Sequence, residues 1–145
     1  MPNSDEKFKK IIRLADGQIA FNDGNYEKAY SILKPLSDKG VSAAQYVIAL
    51  MYEEGLGVEQ NSSVAASLYR KAAEQGHASA RFSLGYLYNN GEGVVHDDTE
   101  AFVWYMKAAA QGDTEGQCAV GIMFNTGSGI KQNSKQALYW FEKSC

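Results

Sequence analysis

Residues 78–113 read ASARFSLGYLYNNGEGVVHDDTEAFVWYMKAAAQGD, and this stretch decides the fold. Shifted back by 36 positions it falls on residues 42–77, SAAQYVIALMYEEGLGVEQNSSVAASLYRKAAEQGH. Shifted forward by 36 it falls on residues 114–145, TEGQCAVGIMFNTGSGIKQNSKQALYWFEKSC, which stops four residues short of a full unit. The register holds without a gap. Tyr52, Tyr88 and Phe124 align, as do Gly55, Gly91 and Gly127, and then Gly57, Gly93 and Gly129. Val58, Val94 and Ile130 follow, then Ala65, Ala101 and Ala137, then Tyr69, Tyr105 and Phe141. A fixed period in the range of about 20–50 residues marks a solenoid or an array, in which each unit buries its apolar face against the next.

Each unit divides into a first helix of about 13 residues, a Gly-x-Gly-aliphatic turn and a second helix. The first glycine ends a helix through a positive φ. The second lets the chain reverse tightly, and Val58, Val94 or Ile130 then plugs the mouth of the hairpin. Asn61, Asp97 and Asn133 stand three residues later, where they are expected to cap the second helix. Asp97 with Glu100, and Asn133 with Gln136, have the spacing of a capping box. Gln75-Gly76 and Gln111-Gly112 close one unit and open the next.

Upstream, residues 4–22 carry Phe8, Ile11, Ile12, Leu14, Ala15 and Ile19 at three- and four-residue spacing, which predicts an amphipathic helix. Asn3 or Ser4 is placed to cap it. Asp23-Gly24-Asn25 breaks it, and residues 26–39 resume with Ala29, Ile32, Leu33 and Leu36 on one face. Pro35 within that second helix is expected to bend or shorten it. Lys39-Gly40 ends it. The organisation is therefore a single α-solenoid domain over 1–145. It comprises an N-terminal hairpin at 4–40 and units at 42–77, 78–113 and 114–145, the last incomplete at its end. That makes four antiparallel hairpins and eight helices in an all-α, right-handed α-α superhelix.

The first hairpin resembles a tetratricopeptide repeat through Gly17, Ala20, Gly24-Asn25-Tyr26 and Ala29. Asp16 departs from that pattern by being polar, as the outer side of a terminal repeat should be. The 36-residue units resemble the SEL-one-like repeats, a subclass of tetratricopeptide-type solenoids. The middle unit carries that pattern at Ala80, Leu84-Gly85, Tyr88, Gly91, Gly93, Val94, Asp97, Ala101, Trp104-Tyr105, Lys107-Ala108-Ala109 and Gln111-Gly112. Ala49 replaces the helix-contact glycine of the preceding unit, and Ser144 replaces an alanine in the following one.

Composition narrows the function classes. A net charge of −3 and a pI near 5.4 argue against nucleic acid as partner. No run of about 18 apolar residues is present, so no membrane-inserted segment is expected. Residues 1–12 lack the apolar stretch of a signal peptide. The chain is then cytoplasmic or, had a signal been removed, periplasmic or secreted. His77 and His96 form no metal motif and are expected to be structural or surface residues. Gly91-Glu92-Gly93 follows a helix rather than a strand, which excludes a dinucleotide fingerprint. Glu53-Glu54 reads as a solvated helix end, and no serine or cysteine sits in a nucleophile motif. No cofactor, metal or catalytic residue is expected.

The resemblance bears on the two cysteines. Some secreted SEL-one-like proteins tie each hairpin with a disulfide across its two helices. Cys145 matches the second-helix position, but Cys118 stands one residue beyond the usual first-helix position, where this chain has Gln117. One residue is about 100° around a helix, so two free thiols are expected, in a reducing compartment or an unbridged periplasmic protein.

The resemblance also implies a concave groove lined by the first helices, of a kind that binds extended peptides or partner helices. Carried onto this chain, its lining is Tyr46, Leu50 and Glu53; Phe82, Tyr86, Asn89 and Asn90; and Ile122 and Asn125. The asparagines both donate and accept, so they suit a peptide backbone. The groove positions also include Glu54 and Glu115, and three glutamates without lysine or arginine favour a partner with apolar anchors and a positive charge. The expected function is a non-catalytic protein-interaction module. The alternatives are a β-lactam-binding or β-lactam-hydrolysing enzyme, as claimed for a few family members, and a self-associating fragment of a longer repeat protein. In the last case Tyr139, Trp140 and Phe141 of the final repeat would face a missing neighbour.

Overall fold

Helix starts and stops written into the sequence set the architecture. A computed structural model describes residues 3–144, and among them lie eight α-helices and no strand. They are α1 (Ser4–Asn22), α2 (Tyr26–Asp38), α3 (Ser42–Glu54), α4 (Ser62–Glu74), α5 (Ala78–Asn90), α6 (Asp98–Ala110), α7 (Thr114–Thr126) and α8 (Ser134–Ser144). Asn3 caps α1 through a 2.9 Å bond from the Glu6 amide. Asn61, Asp97 and Asn133 cap α4, α6 and α8, as their spacing requires. Each such cap contributes about 1 kcal/mol. The first helices of the repeats end on Gly55, Gly91 and Gly127, all left-handed.

Pro35 does not shorten α2. The helix runs through it to Asp38. In the last turn, proline forfeits only one amide bond, and Pro35 itself is exposed.

The chain forms two compact units, Met1–Gln75 and Gly76–Cys145. In the first, α1 to α4 enclose Ala29, Leu33, Leu36, Ala44, Val47, Ile48 and Met51. Tyr69 of α4 is fully buried, with its ring 5.8 Å from that of Tyr46. Tyr30 and Tyr52 meet hydroxyl to hydroxyl at 3.1 Å, and this bond with burial pushes the Tyr30 pKa up to about 12. In the second unit, α5 to α8 enclose Ala101, Tyr105, Ala109, Val120, Met123 and Trp140. Burial pushes the Tyr105 hydroxyl well up, so it stays neutral at any physiological pH.

The second glycine of the turn has a sharper role than reversal alone. Gly57 (φ 72°) rests on the start of α2, where a Cβ would lie 2.7 Å from the Tyr26 Cβ. Gly129 (φ 72°) rests in the same way on the backbone of Asp98 at the start of α6. These two turns thus dock on the preceding hairpin of their own unit, and a side chain at either glycine would strike it.

Polar latches join successive hairpins within each unit. Gln45 donates to the Ser37 carbonyl at 3.4 Å, and Gln117, at an equivalent repeat position, donates to the Ala109 carbonyl at 3.3 Å. Within single hairpins, Gln75 at the end of α4 donates to Gln45 of α3 at 2.8 Å, and Arg81 of α5 donates to Gln111 at the end of α6 at 3.0 Å.

The expectation of free thiols is overturned, because Cys118 is disulfide-bonded. Cys145 lies outside the described residues. Displacement by one helical position does not forbid a bridge, since disulfides accept Cα separations from about 4.4 to 6.8 Å.

The expectation for the final repeat needs correcting at two residues. Trp140 is buried in the core of its own unit, and Phe141 fills the space beside Gly121, where a Cβ would come within 2.6 Å of its ring. Leu138 and Tyr139 are the exposed pair.

Val41, His77 and Asp113 occupy one repeat position before each first helix. Val41 gives no side-chain cap, whereas Asp113 accepts from the Gly116 amide at 2.8 Å. The neutral His77 ring does the same work, its Nδ1 accepting from the Ala80 amide at 3.2 Å. Burial lowers the His77 pKa. The unfolded chain therefore takes up the proton first, and stability falls as pH drops below about 6.5. Thermal melts at about pH 7.5 and pH 5 should show this loss in the parent chain. His77→Asn, which keeps an acceptor without a titrating ring, should flatten the difference.

Candidate functional site

The first helices carry the nine residues predicted to contact a partner, and the two units present them differently. In the first unit Tyr46, Leu50 and Glu53 of α3 are all half-buried. Tyr46 stacks on Tyr69 and packs on the core, so much of its surface is spent on the fold. The Glu53 carbonyl accepts from the Gln60 side chain at 2.8 Å, which ties the end of α3 to the following turn.

The second unit is more open. Phe82 is half-buried against Tyr105, with ring centroids 5.4 Å apart. One turn on, Tyr86 is 44% exposed, and Asn89 and Asn90 at the end of α5 are exposed. The same positions recur on α7. Ile122, the repeat equivalent of Tyr86, is 51% exposed, and Asn125, equivalent to Asn89, is exposed. Residues of α5, α6 and α7 pack on one core, through Phe82, Tyr105, Ala109, Val120 and Met123.

These side chains point outward because their neighbours point inward. On α5, Leu84, Gly85 and Leu87 are buried, and on α7, Val120, Gly121 and Met123 are buried. Tyr86 and Asn89 stand two positions beyond Leu84 and Leu87, and Ile122 and Asn125 two beyond Val120 and Met123, about 200° round the helix from the packed side. Gly85 and Gly121 let α5 and α7 approach their second helices closely. A Cβ at Gly85 would come within 2.8 Å of the Tyr105 ring. Glycine at this contact thus fixes which face of the helix remains outside.

The resulting face offers apolar contact at Tyr86 and Ile122 and amide donors and acceptors at Asn89, Asn90 and Asn125. Those groups suit binding rather than bond making. Among the described residues, no cluster of three or more histidines, cysteines or carboxylates could hold a metal.

Two positions escaped the sequence reading. Gln60 and Gln132 share a repeat position and hold the carbonyls of Glu53 and Asn125, each at 2.8 Å. Their 72-residue separation, two periods, was the available signal. The residue between them is His96, which instead pairs with Asp98 at 2.9 Å. His77 as a helix cap was the second omission, detectable only by aligning it with Asp113.

Eight helices folded as repeated hairpins, with the same positions buried in each, define a helical-repeat protein of the α-solenoid class. Sel1 repeats are matched at residues 42–77, 78–113 and 114–145, and the chain belongs to the Sel1 repeat family. Among solved structures, a Sel1 repeat protein from Oxalobacter formigenes is 37% identical with a TM-score of 0.86, over 90% of this chain and 54% of that one. The protective antigen c5321 of uropathogenic Escherichia coli, which displays an SLR fold, is 32% identical with a TM-score of 0.88, over 96% of this chain and 31% of that one. Cysteine-rich protein B of Helicobacter pylori is 26% identical with a TM-score of 0.66, over 82% of this chain and 88% of that one. The chain thus spans about half the length of the first of these proteins and under a third of the second. No curated protein matches the chain. Sel1 repeats generally serve as non-catalytic scaffolds for protein interaction.

Proposed function

We propose that the chain captures an extended peptide or partner segment on the outward row of its first helices, with Tyr86, Asn89, Asn90, Ile122 and Asn125 making the principal contacts. The observation that carries this reading is a repeated exposure. Tyr86 and Ile122 occupy one repeat position, and both leave a large apolar surface in water. Each is followed three residues later by an exposed asparagine. Two equivalent sites, each pairing an apolar anchor with an amide, suit an extended chain whose side chains anchor and whose backbone is held by amides. In the first unit, Tyr46, Leu50 and Glu53 occupy the repeat positions of Phe82, Tyr86 and Asn89.

Selection of a random peptide library on the purified chain should yield binders with spaced apolar residues. The double variant Tyr86→Ala, Asn89→Ala should weaken them by roughly tenfold or more, the loss expected from a central aromatic anchor. Both residues are exposed, so the melt should hardly change. Undiminished binding by the folded double variant would remove these residues from the interface.

A further inference from the structure

The outer face of α1 is chemically unlike the rest of the surface. Phe8 is 63% exposed, Ile11 58%, Ile12 45% and Ile19 58%, and Ala15 is exposed beside them. At about 100° per residue these five fall within an arc of about 100°. The opposite side of the helix does the packing. There Gly17 and Ala20 are buried, and Leu14 and Phe21 lie against the core. The apolar stripe is therefore surplus to the hairpin, and it points directly away from it.

Charge accompanies the stripe. Residues 7–15, KFKKIIRLA, hold four cations and no carboxylate, in a chain of net charge −3. Lys7 and Lys9 fall about 100° to either side of Phe8, and Lys10 and Arg13 lie farther round. Among the described residues, none of the four takes part in an ion pair. Beyond the end of α2 they border an open cleft of about 750 Å³, with Lys39 opposite and Glu6 its single acidic residue. No described helix is long and apolar enough to cross a membrane.

From this arrangement we infer that α1 is an interfacial helix that adsorbs to the surface of an anionic lipid bilayer. Phe8, Ile11, Ile12 and Ile19 enter the boundary between headgroups and acyl chains. Lys7 and Lys9 bend up to headgroup phosphates on both flanks, as such helices do. A flat surface reaches the stripe without meeting α2, because the two lie on opposite sides of α1. Shape and charge favour lipid over the other occupants. A lone convex ridge suits a planar interface, whereas a partner helix seeks a groove. A second copy crossing at Ile11 and Ile12 would set the cationic segment 7–15 against itself.

Flotation of the full chain with vesicles tests this. The chain should rise with vesicles containing phosphatidylglycerol and remain behind with phosphatidylcholine alone. Added salt should weaken binding, and each of Lys7→Ala and Lys9→Ala should lower it by roughly fivefold. Phe8→Glu with Ile12→Glu should abolish flotation while the far-ultraviolet circular dichroism and the melt stay as in the parent. The inference is overturned if the folded chain ignores phosphatidylglycerol, or if the Phe8/Ile12 variant floats as well as the parent. It is also overturned if that variant instead abolishes a concentration-dependent dimer in sedimentation, or if soluble polyglutamate binds the chain and vesicles do not.

Discussion

Replacing Tyr69 with alanine is expected to cost the first unit about 3–5 kcal/mol, the range for removing a fully buried aromatic side chain. Tyr69 is completely inaccessible to water. Its ring lies against Tyr46, while Ala65, Ala66, Ala72 and Ala73 on the same helix are themselves buried. Alanines cannot move inward to refill the space, so the cavity persists. A loss of that size is a large part of the roughly 5–15 kcal/mol that holds a domain together. Urea denaturation followed by circular dichroism measures it directly. Tyr69→Phe keeps the ring and should retain most of the stability. A Tyr69→Ala midpoint close to the parent's would mean that the repeat core does not depend on its second-helix aromatic.

The second large effect comes from overfilling rather than emptying. Gly85→Leu inserts a branched side chain where even a Cβ would lie 2.8 Å from the Tyr105 ring and 3.2 Å from the Ala101 carbonyl oxygen. The ring can turn slightly, but the carbonyl belongs to α6 and cannot. The hairpin must therefore splay, at roughly 3 kcal/mol or more. Gly85→Ala is the informative companion. The first unit carries Ala49 at this repeat position, fully buried, so the repeat geometry accepts one methyl when its partner ring shifts. A cost of about 1 kcal/mol is expected for the alanine. Equal behaviour of the alanine and leucine variants in denaturation would contradict the close-contact role of this glycine.

These two positions also show why the architecture was legible in the sequence. Aromatics at Tyr69, Tyr105 and Phe141 and small residues at Ala49, Gly85 and Gly121 recur at one period, and the contact of Gly85 with Tyr105 is repeated by Gly121 with Phe141. Helix limits followed from the capping residues and the left-handed glycines for the same reason. Repetition averages away the local ambiguities of any single segment. Where repetition stops, the reading weakened. Pro35 belongs to the looser first hairpin, and nothing in a neighbouring unit showed that its helix would continue. Cys118 has no cysteine at the equivalent positions 46 and 82, so its pairing had no counterpart to compare. The last repeat's aromatics were read as facing outward because of where they stand in the chain, yet Trp140 turns into its own unit.

The candidate site was legible only as a set of positions. Helical spacing identified which residues share a face, but it could not say how deep each one sits. Tyr46 and Phe82 are partly consumed by stacking on Tyr69 and Tyr105, whereas Tyr86 and Ile122 stand clear. Phe82 stacks on Tyr105, whereas Tyr86, one turn farther along α5, keeps 44% of its surface in water. The exposed stripe of α1 illustrates the converse limit. Its periodicity predicted an amphipathic helix correctly, yet Phe8, Ile11, Ile12 and Ile19 could be assigned to core or surface only once Gly17 was seen against Leu33.

The claim that binding resides on the outward first-helix row is tested most directly by nuclear magnetic resonance mapping of a selected peptide on the isotopically labelled chain. The account predicts that the largest shift changes fall on the Asn89, Asn90 and Asn125 side-chain amides, the Ile122 methyl groups and the Tyr86 ring. Changes confined to the exposed second-helix residues Val103, Leu138 and Tyr139, with the first-helix row unmoved, would contradict it.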